Sequence, residues 1–226
     1  MKEKLAKSAM SRKRVLDAAA AVFQNYGYAG ATMRVVGARA GLKAGSIYYH
    51  FKSKEELIGA VLDLAMQAVI DGVQDALDAL PPEATLRERV GTAIHAHLTT
   101  IIAIGDYTLT TRRVFGQVPD AIRAQSLRLR EAYAAMWHTL LTDGQRRGEV
   151  RADANLVLVR LFVLGALNWA VEWFNPDGLS IDSVARSFAS VLLDGLVQDH
   201  AEADTPKRQS PPKKKSTTRN GRAGAP

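Results

Sequence analysis

Between Thr32 and Lys54 the chain gathers hydrogen-bond donors on a short segment built around a glycine turn: Lys43, Ser46, Tyr48, Tyr49, His50 and Lys54. Such side chains pair with phosphate oxygens and base edges, and their types suit binding more than bond breaking. Spacing decides where they point. Val36 and Ala40 are four apart behind Thr32, a residue type that caps helix N-termini, so they share the inner face of a first helix. Gly41 turns the chain and Leu42 plugs the corner. In a second helix from about Ala44 to His50, Ile47 and Phe51 form the inward pair. That leaves Lys43, Ala44, Gly45, Ser46, Tyr48, Tyr49 and His50 around an exposed rim. Ala44 and Gly45 remove bulk where a helix N-terminus approaches a major groove. Ser53-Lys54-Glu55-Glu56 reads as a capping box that sets Lys54 beside free backbone N–H groups, a site suited to phosphate. The same residues also fit an ordinary helical hairpin with an aromatic surface.

Other reactive side chains are scattered. His95 and His97 lie two apart, hence about 200° apart around a helix, which is wrong for gripping one metal. Both read as ordinary helix histidines, as does His138 beside Trp137. Neither a nucleophile with its base, nor a glycine-rich phosphate loop, nor paired carboxylates emerge, so no catalytic residue, metal or cofactor is expected. Arg112-Arg113 precedes Val114-Phe115. Two cations at an apolar mouth suit the phosphates of a large acidic ligand, since guanidinium offers forked donors; a solvated pair or an intersubunit ion pair is the other reading, and for either arginine alone the simpler one. Tyr107, Phe115, Trp137, Trp169, Trp173 and Phe174 are candidates for lining an apolar cavity, although tryptophans at these spacings also fit a core or a dimer axis.

The net charge of +7 on 226 residues is uneven. Residues 1–14 hold six Lys/Arg against one Glu, and residues 201–226 seven against two acids, so the stretch between is net acidic. Residues 1–10 read as a basic arm that follows DNA backbone or frays in solvent. The tail 201–226, rich in Pro, Lys, Arg, Ser and Thr, is expected to be disordered. With no cysteine and no visible signal peptide the composition fits a reducing cytoplasm.

All the elements that must position these groups read as helices, because apolar residues recur at three and four. They run from Ser11 to Tyr26 with Gly27 as C-cap, through the hairpin, then Lys54 to about Leu80 before Pro81-Pro82. Next come Thr85 to about Ile104, Tyr107 to Phe115, Pro119 to about Arg147, Asp153 or Asn155 to Phe174, and Ser180 to about Val197. The segment ending at Phe174 is apolar around most of its circumference. Arg160 and Glu172 within it argue against a membrane span, and a helix covered by its own subunit on one side and a partner on the other accounts for it better.

The run Gly45-Ser46-Ile47-Tyr48-Tyr49-His50-Phe51-Lys52-Ser53-Lys54-Glu55-Glu56-Leu57, with Phe23, Tyr26-Gly27-Tyr28 and Thr32, closely resembles the N-terminal domain of TetR-family transcriptional regulators over about Ser11 to Asp71. The resemblance implies an all-α homodimer. Its helix-turn-helix domain would occupy residues 11–71 and its effector-binding and dimerisation domain residues 72–200, with the last two helices forming a four-helix bundle across the dimer axis. Thr32, Lys43, Ala44, Gly45, Ser46, Tyr48, Tyr49, His50 and Lys54 occupy positions that lie at DNA in that family. Leu167-Asn168-Trp169, Trp173 to Gly178 and Leu193-Asp194-Gly195-Leu196 resemble sensors of fatty-acid and steroid degradation that respond to acyl-coenzyme A. The partners implied are an operator duplex, an acyl-CoA effector and a second subunit, with no membrane. A multidrug-type sensor of the same family is the alternative; more distant are a metabolite-binding enzyme or carrier and a ligand-blind architectural DNA protein.

Overall fold

The computed structural model describes residues 2–194; the tail 201–226 and the expected end of the last helix near Val197 lie outside the described residues. These residues form an all-helical chain: α1 (Lys2–Gly30), α2 (Met33–Ala40), α3 (Ala44–His50), α4 (Lys54–Asp78), α5 (Leu86–Ala103), α6 (Gly105–Val114), α7 (Asp120–Arg146), α8 (Leu156–Trp173) and α9 (Ile181–Asp194). One boundary differs from expectation. α1 begins at Lys2, inside the stretch read as an arm, and continues to Gly30 across a break at Gly27, whose φ of 68° is left-handed. The break still ends the first straight run, because only glycine takes that conformation without strain.

Two apolar clusters hold the chain together. The first joins Val15, Ala19, Val22 and Phe23 of α1 to Val36, Ile47, Phe51 and the first half of α4. Tyr107, Val114 and Val118, from α6 and the turn behind it, also belong to this cluster. The second gathers Val69 and Val73 of α4 with α5, α7, α8 and α9 around Trp137, Leu98 and Leu167. α4 therefore runs through both cores as one rigid rod, its start capped by Ser53, whose Oγ accepts from the Glu56 N–H at 3.1 Å. The Glu56 carboxylate answers by accepting from the Lys52 N–H at 2.7 Å, one residue earlier than in the usual reciprocal box. At Thr85 and Glu88 of α5 both halves of that box are present.

α8 is the one helix among the described residues long and apolar enough to cross a membrane, with 18 residues at mean hydropathy 1.6. Its packing shows another use for this composition. Leu156, Val163, Leu167 and Ala170 are buried in the second core, whereas Leu158, Leu161, Phe162, Trp169 and Trp173 stand exposed along the opposite side.

Candidate DNA interface and effector cavity

The two-helix reader is fixed by a close crossing. Gly37 of α2 lies under Ile47 of α3, and a Cβ there would come within 2.8 Å of the Ile47 Cδ1. Gly41, at φ 63°, closes α2 by donating its N–H to the Ala38 carbonyl, while Leu42 donates to the Gly37 carbonyl. Two bonds to the end carbonyls in this left-handed turn set the angle at which α3 leaves. From α1, Arg14 Nη2 donates to the Ala40 carbonyl at 2.6 Å, and the Arg12 guanidinium lies 4.9 Å from the Phe51 ring centre.

With Ile47 and Phe51 buried, α3 presents Gly45, Ser46, Tyr48 and Tyr49 to solvent, Tyr49 at 77% exposure. Lys43 precedes the helix, exposed and without a side-chain capping bond. Thr32 is exposed but already employed, its Oγ1 accepting from the Val35 N–H at 3.2 Å. Two expected donors are partly engaged. His50 Nε2 is 3.0 Å from the Ser11 Oγ, tying α3 to α1. Lys54 Nζ donates to the Tyr28 carbonyl at 3.0 Å and sits 4.3 Å from the Tyr28 ring centre, so it bridges α4 to the end of α1. An ammonium keeps two further N–H groups for other acceptors. Next to it, the Tyr28 O–H donates to Glu55 Oε1 at 2.7 Å. Burial and this carboxylate push the phenol up to about 12, and the same bond holds Glu55 below its usual range.

A second feature lies in the other half. Leu62, Ala65, Met66 and Val69 of α4 face His97 and Ile101 of α5, Thr108, Thr111, Arg112 and Phe115 of α6, Arg130 and Tyr133 of α7, and Leu164 and Asn168 of α8 around a cavity of about 340 Å³. Of the residues expected to line it, Arg112 and Phe115 do. Arg113 is exposed on another side of α6 and does not reach the cavity. The reason is helical: Thr108, Thr111, Arg112 and Phe115 share one face of α6, and Arg113, a further turn of about 100° past Arg112, falls beyond its edge. Arg130 of α7 takes the second position, its guanidinium 4.2 Å from the Phe115 ring centre and its pKa lowered by desolvation. Its spacing of three from Tyr133 was the available signal.

Other expectations for the cavity are corrected. Tyr107 turns away into the first core, where its hydroxyl donates to Asp17 Oδ1 at 2.7 Å. Trp137 is fully buried in the second core beside Tyr133. Trp169 lies outside the cavity as a half-exposed platform 4.2 Å beneath the Arg112 guanidinium, while Trp173 packs on Phe188 of α9. Arg112 also pairs with Glu172 of α8, Nε to Oε1 at 2.7 Å. His97, read from the sequence as an ordinary helix histidine, is in fact a cavity residue; nothing in its immediate neighbours signals this, because Tyr133 is 36 positions away.

His97 leads to an expected pH dependence. Complete burial depresses its pKa to about 4 from an ordinary 6.5, so the folded state keeps it neutral. Between pH 6.5 and 4 the unfolded chain takes up a proton that the folded chain refuses. Stability therefore falls as pH drops through this window, by up to ~3 kcal/mol from this residue. Urea unfolding at pH 7.5 and 5 should show a smaller acid loss in His97→Leu than in the unmodified protein; equal losses would contradict the buried neutral state.

Residues 83–196 match the family described as "Tetracyclin repressor-like, C-terminal domain", and residues 15–61 match "Bacterial regulatory proteins, tetR family". The chain belongs to the TetR family. The HTH-type transcriptional repressor KstR2 of Rhodococcus jostii is 27% identical over 191 residues, covering 84% of this chain and 92% of the relative. The ketosteroid transcriptional regulator KstR2 of Mycobacterium tuberculosis superposes with a TM-score of 0.72 at 24% identity, over 83% of this chain and 95% of that one. FadR of Bacillus subtilis, solved in complex with stearoyl-CoA, gives 0.68 at 22% identity, over 81% and 98%. As a TetR-family member this chain is a DNA-binding, ligand-responsive transcriptional regulator, with the hairpin of α2 and α3 inside the first matched region and most of the cavity inside the second.

Proposed function

We propose that this TetR-family regulator is a homodimeric repressor that leaves an inverted-repeat operator when an acyl-coenzyme A thioester enters the cavity between α4 and α8. The observation that carries this reading is the placement of α6. Thr108, Thr111, Arg112 and Phe115 line the cavity on one side of it. On the other, Thr110 Oγ1 donates to the Ala20 carbonyl of α1 at 2.6 Å, and the Tyr107 hydroxyl to Asp17. Gln117, just beyond α6, accepts from the Tyr28 N–H at 3.0 Å, next to the break in α1. A ligand that shifts α6 therefore acts through bonded contacts on the helix that carries the reader. Switching needs differential affinity: each tenfold preference for the released state supplies about 1.4 kcal/mol, and affinity common to both states shifts nothing.

The apolar lining suits an acyl group, Arg112 and Arg130 suit its phosphorylated carrier, and the FadR complex supplies the precedent in a relative. The exposed apolar side of α8, with Val191 of α9, suits a partner subunit. Lys43, Ser46, Tyr48, Tyr49, His50 and Lys54 are the proposed DNA contacts, with Thr32, Ala44 and Gly45 shaping the approach. Acting on DNA, the protein would work in the cytoplasm and carry out no chemical step. Glu172 favours a second reading, in which Arg112 is already neutralised and a neutral or cationic hydrophobic compound is sensed, as in multidrug-type regulators.

Selecting bound duplexes from a random DNA pool, then titrating the complex with fatty, aromatic and steroid-derived thioesters beside their free acids, tests both readings. Log affinity for the operator is expected to fall with log salt at a slope of roughly −4 to −7, for about four to eight phosphate contacts. A salt-independent complex would contradict the DNA assignment. Release by cationic hydrophobic compounds alone would favour the second reading.

A further inference from the structure

Three residues that line the cavity each carry a buried polar atom without a hydrogen-bond partner among the described residues: His97 Nε2 on α5, Thr111 Oγ1 on α6 and Arg130 Nε on α7. A saturated hydrocarbon filling this space would leave all three unpaired, and each buried unpaired group is costly. His97 is the most constrained. Its side chain is 1% exposed, and its Nδ1 is committed to the Tyr133 hydroxyl at 2.7 Å. The ring is held from behind, and the Asn168 side chain of α8 is the polar neighbour that raises its proton affinity against burial, yet it falls outside hydrogen-bond geometry at Nε2.

We propose that His97 Nε2 reads an oxygen on the buried end of the effector, so that the preferred ligand carries a hydroxyl or ketone on an otherwise apolar acyl group. This rests on the cavity being the effector site, and it names the acyl chemistry that site selects. The tautomer sets which oxygen fits. If the Tyr133 O–H donates to Nδ1, Nε2 carries the proton and donates to a ketone or a hydroxyl alike. If Nδ1–H donates to Tyr133, Nε2 accepts and only a hydroxyl satisfies it. A pocket built to bond an oxygen also discriminates against the analogue lacking it, because the unpaired group then remains buried.

Two probe sets separate this proposal from the thioester reading. Decalin, 2-decalol and 2-decalone carry no thioester and report on the cavity alone. Cyclohexylpropanoyl-CoA and its 4-hydroxy counterpart report on operator release. With the full-length protein, displacement of a hydrophobic dye should show 2-decalol binding about 10–100-fold tighter than decalin, the range of one buried hydrogen bond. The ¹⁵N shift of His97 Nε2 should move with decalol and stay fixed with decalin. His97→Leu should bring the two affinities together, and His97→Gln should keep part of the difference. Decalone matching decalol would identify Nε2 as the donor. Equal binding of decalol and decalin to the unmodified protein, as expected if Asn168 or bound water satisfies the histidine, overturns the proposal. So does discrimination that survives in His97→Leu; should that variant fail to fold, the ratio in the unmodified protein and the His97 shift still decide. Decalol preference with no operator release by any thioester removes the acyl-CoA reading and leaves the oxygen-reading site in place.

Discussion

Leu161→Glu is expected to convert the proposed homodimer into a folded monomer of 24.6 kDa and to lower operator affinity by about a hundredfold or more, the range of avidity lost when two linked half-site contacts become one. Leu161 is 56% exposed on α8 and Val191 70% exposed on α9, so a charge at either position meets solvent in the isolated subunit and harms its own core little. In a dimer whose axis runs over these helices the same charge is buried without a partner, at a cost of several kcal/mol. Sedimentation and circular dichroism on one sample separate the outcomes. A helical monomer supports the interface, while an intact dimer moves it elsewhere on the surface.

Gly37→Val should damage the reader more than any change of equal size on its surface. The first added carbon would approach Ile47 Cδ1 to 2.8 Å, and Ile47 is fully buried where α2 crosses α3. Overpacking of this kind costs about 1–3 kcal/mol, and relief requires Ile47 to leave its rotamer within a full core or α3 to shift. For a chain of this size that is a drop in Tm of roughly 2–12 °C. Operator affinity should fall by about a hundredfold, since α3 would leave the geometry that places its rim in the groove. Gly45→Ala is the control. Its added carbon meets nothing within 4 Å, and alanine favours a helix over glycine by about 0.5–1 kcal/mol, so the fold should be unharmed. Any loss of operator binding in that variant reports the DNA contact itself. Unchanged melting and binding in Gly37→Val would refute the tight crossing.

Which groups carry function divided along physical lines. Sequence alone determined the helices, because a 3.6-residue period and the capping residues Thr32, Ser53 and Thr85 are local properties of the chain; between Asp153 and Asn155 the structure decided for Asn155. It also determined which side of α3 faces outward, since Ile47 and Phe51 are four apart on a single helix. The resemblance carried by Gly45 to Leu57 rests on contiguous residues and was legible for the same reason. Cavity composition was not. Arg113 looked equivalent to Arg112 along the chain, yet one lines the rim of the cavity and the other faces solvent, a matter of α6 rotation set by Thr110 and Tyr107 bonding to α1. Arg130 and His97 entered the site only because α5, α6 and α7 converge, and no local pattern encodes that convergence. Gly37 likewise carries no signal along the chain, since what calls for a glycine there is Ile47 packed against it from α3. Contacts between residues tens of positions apart depend on how helices cross, and crossing is decided by the summed packing of whole faces, which only the tertiary structure displays.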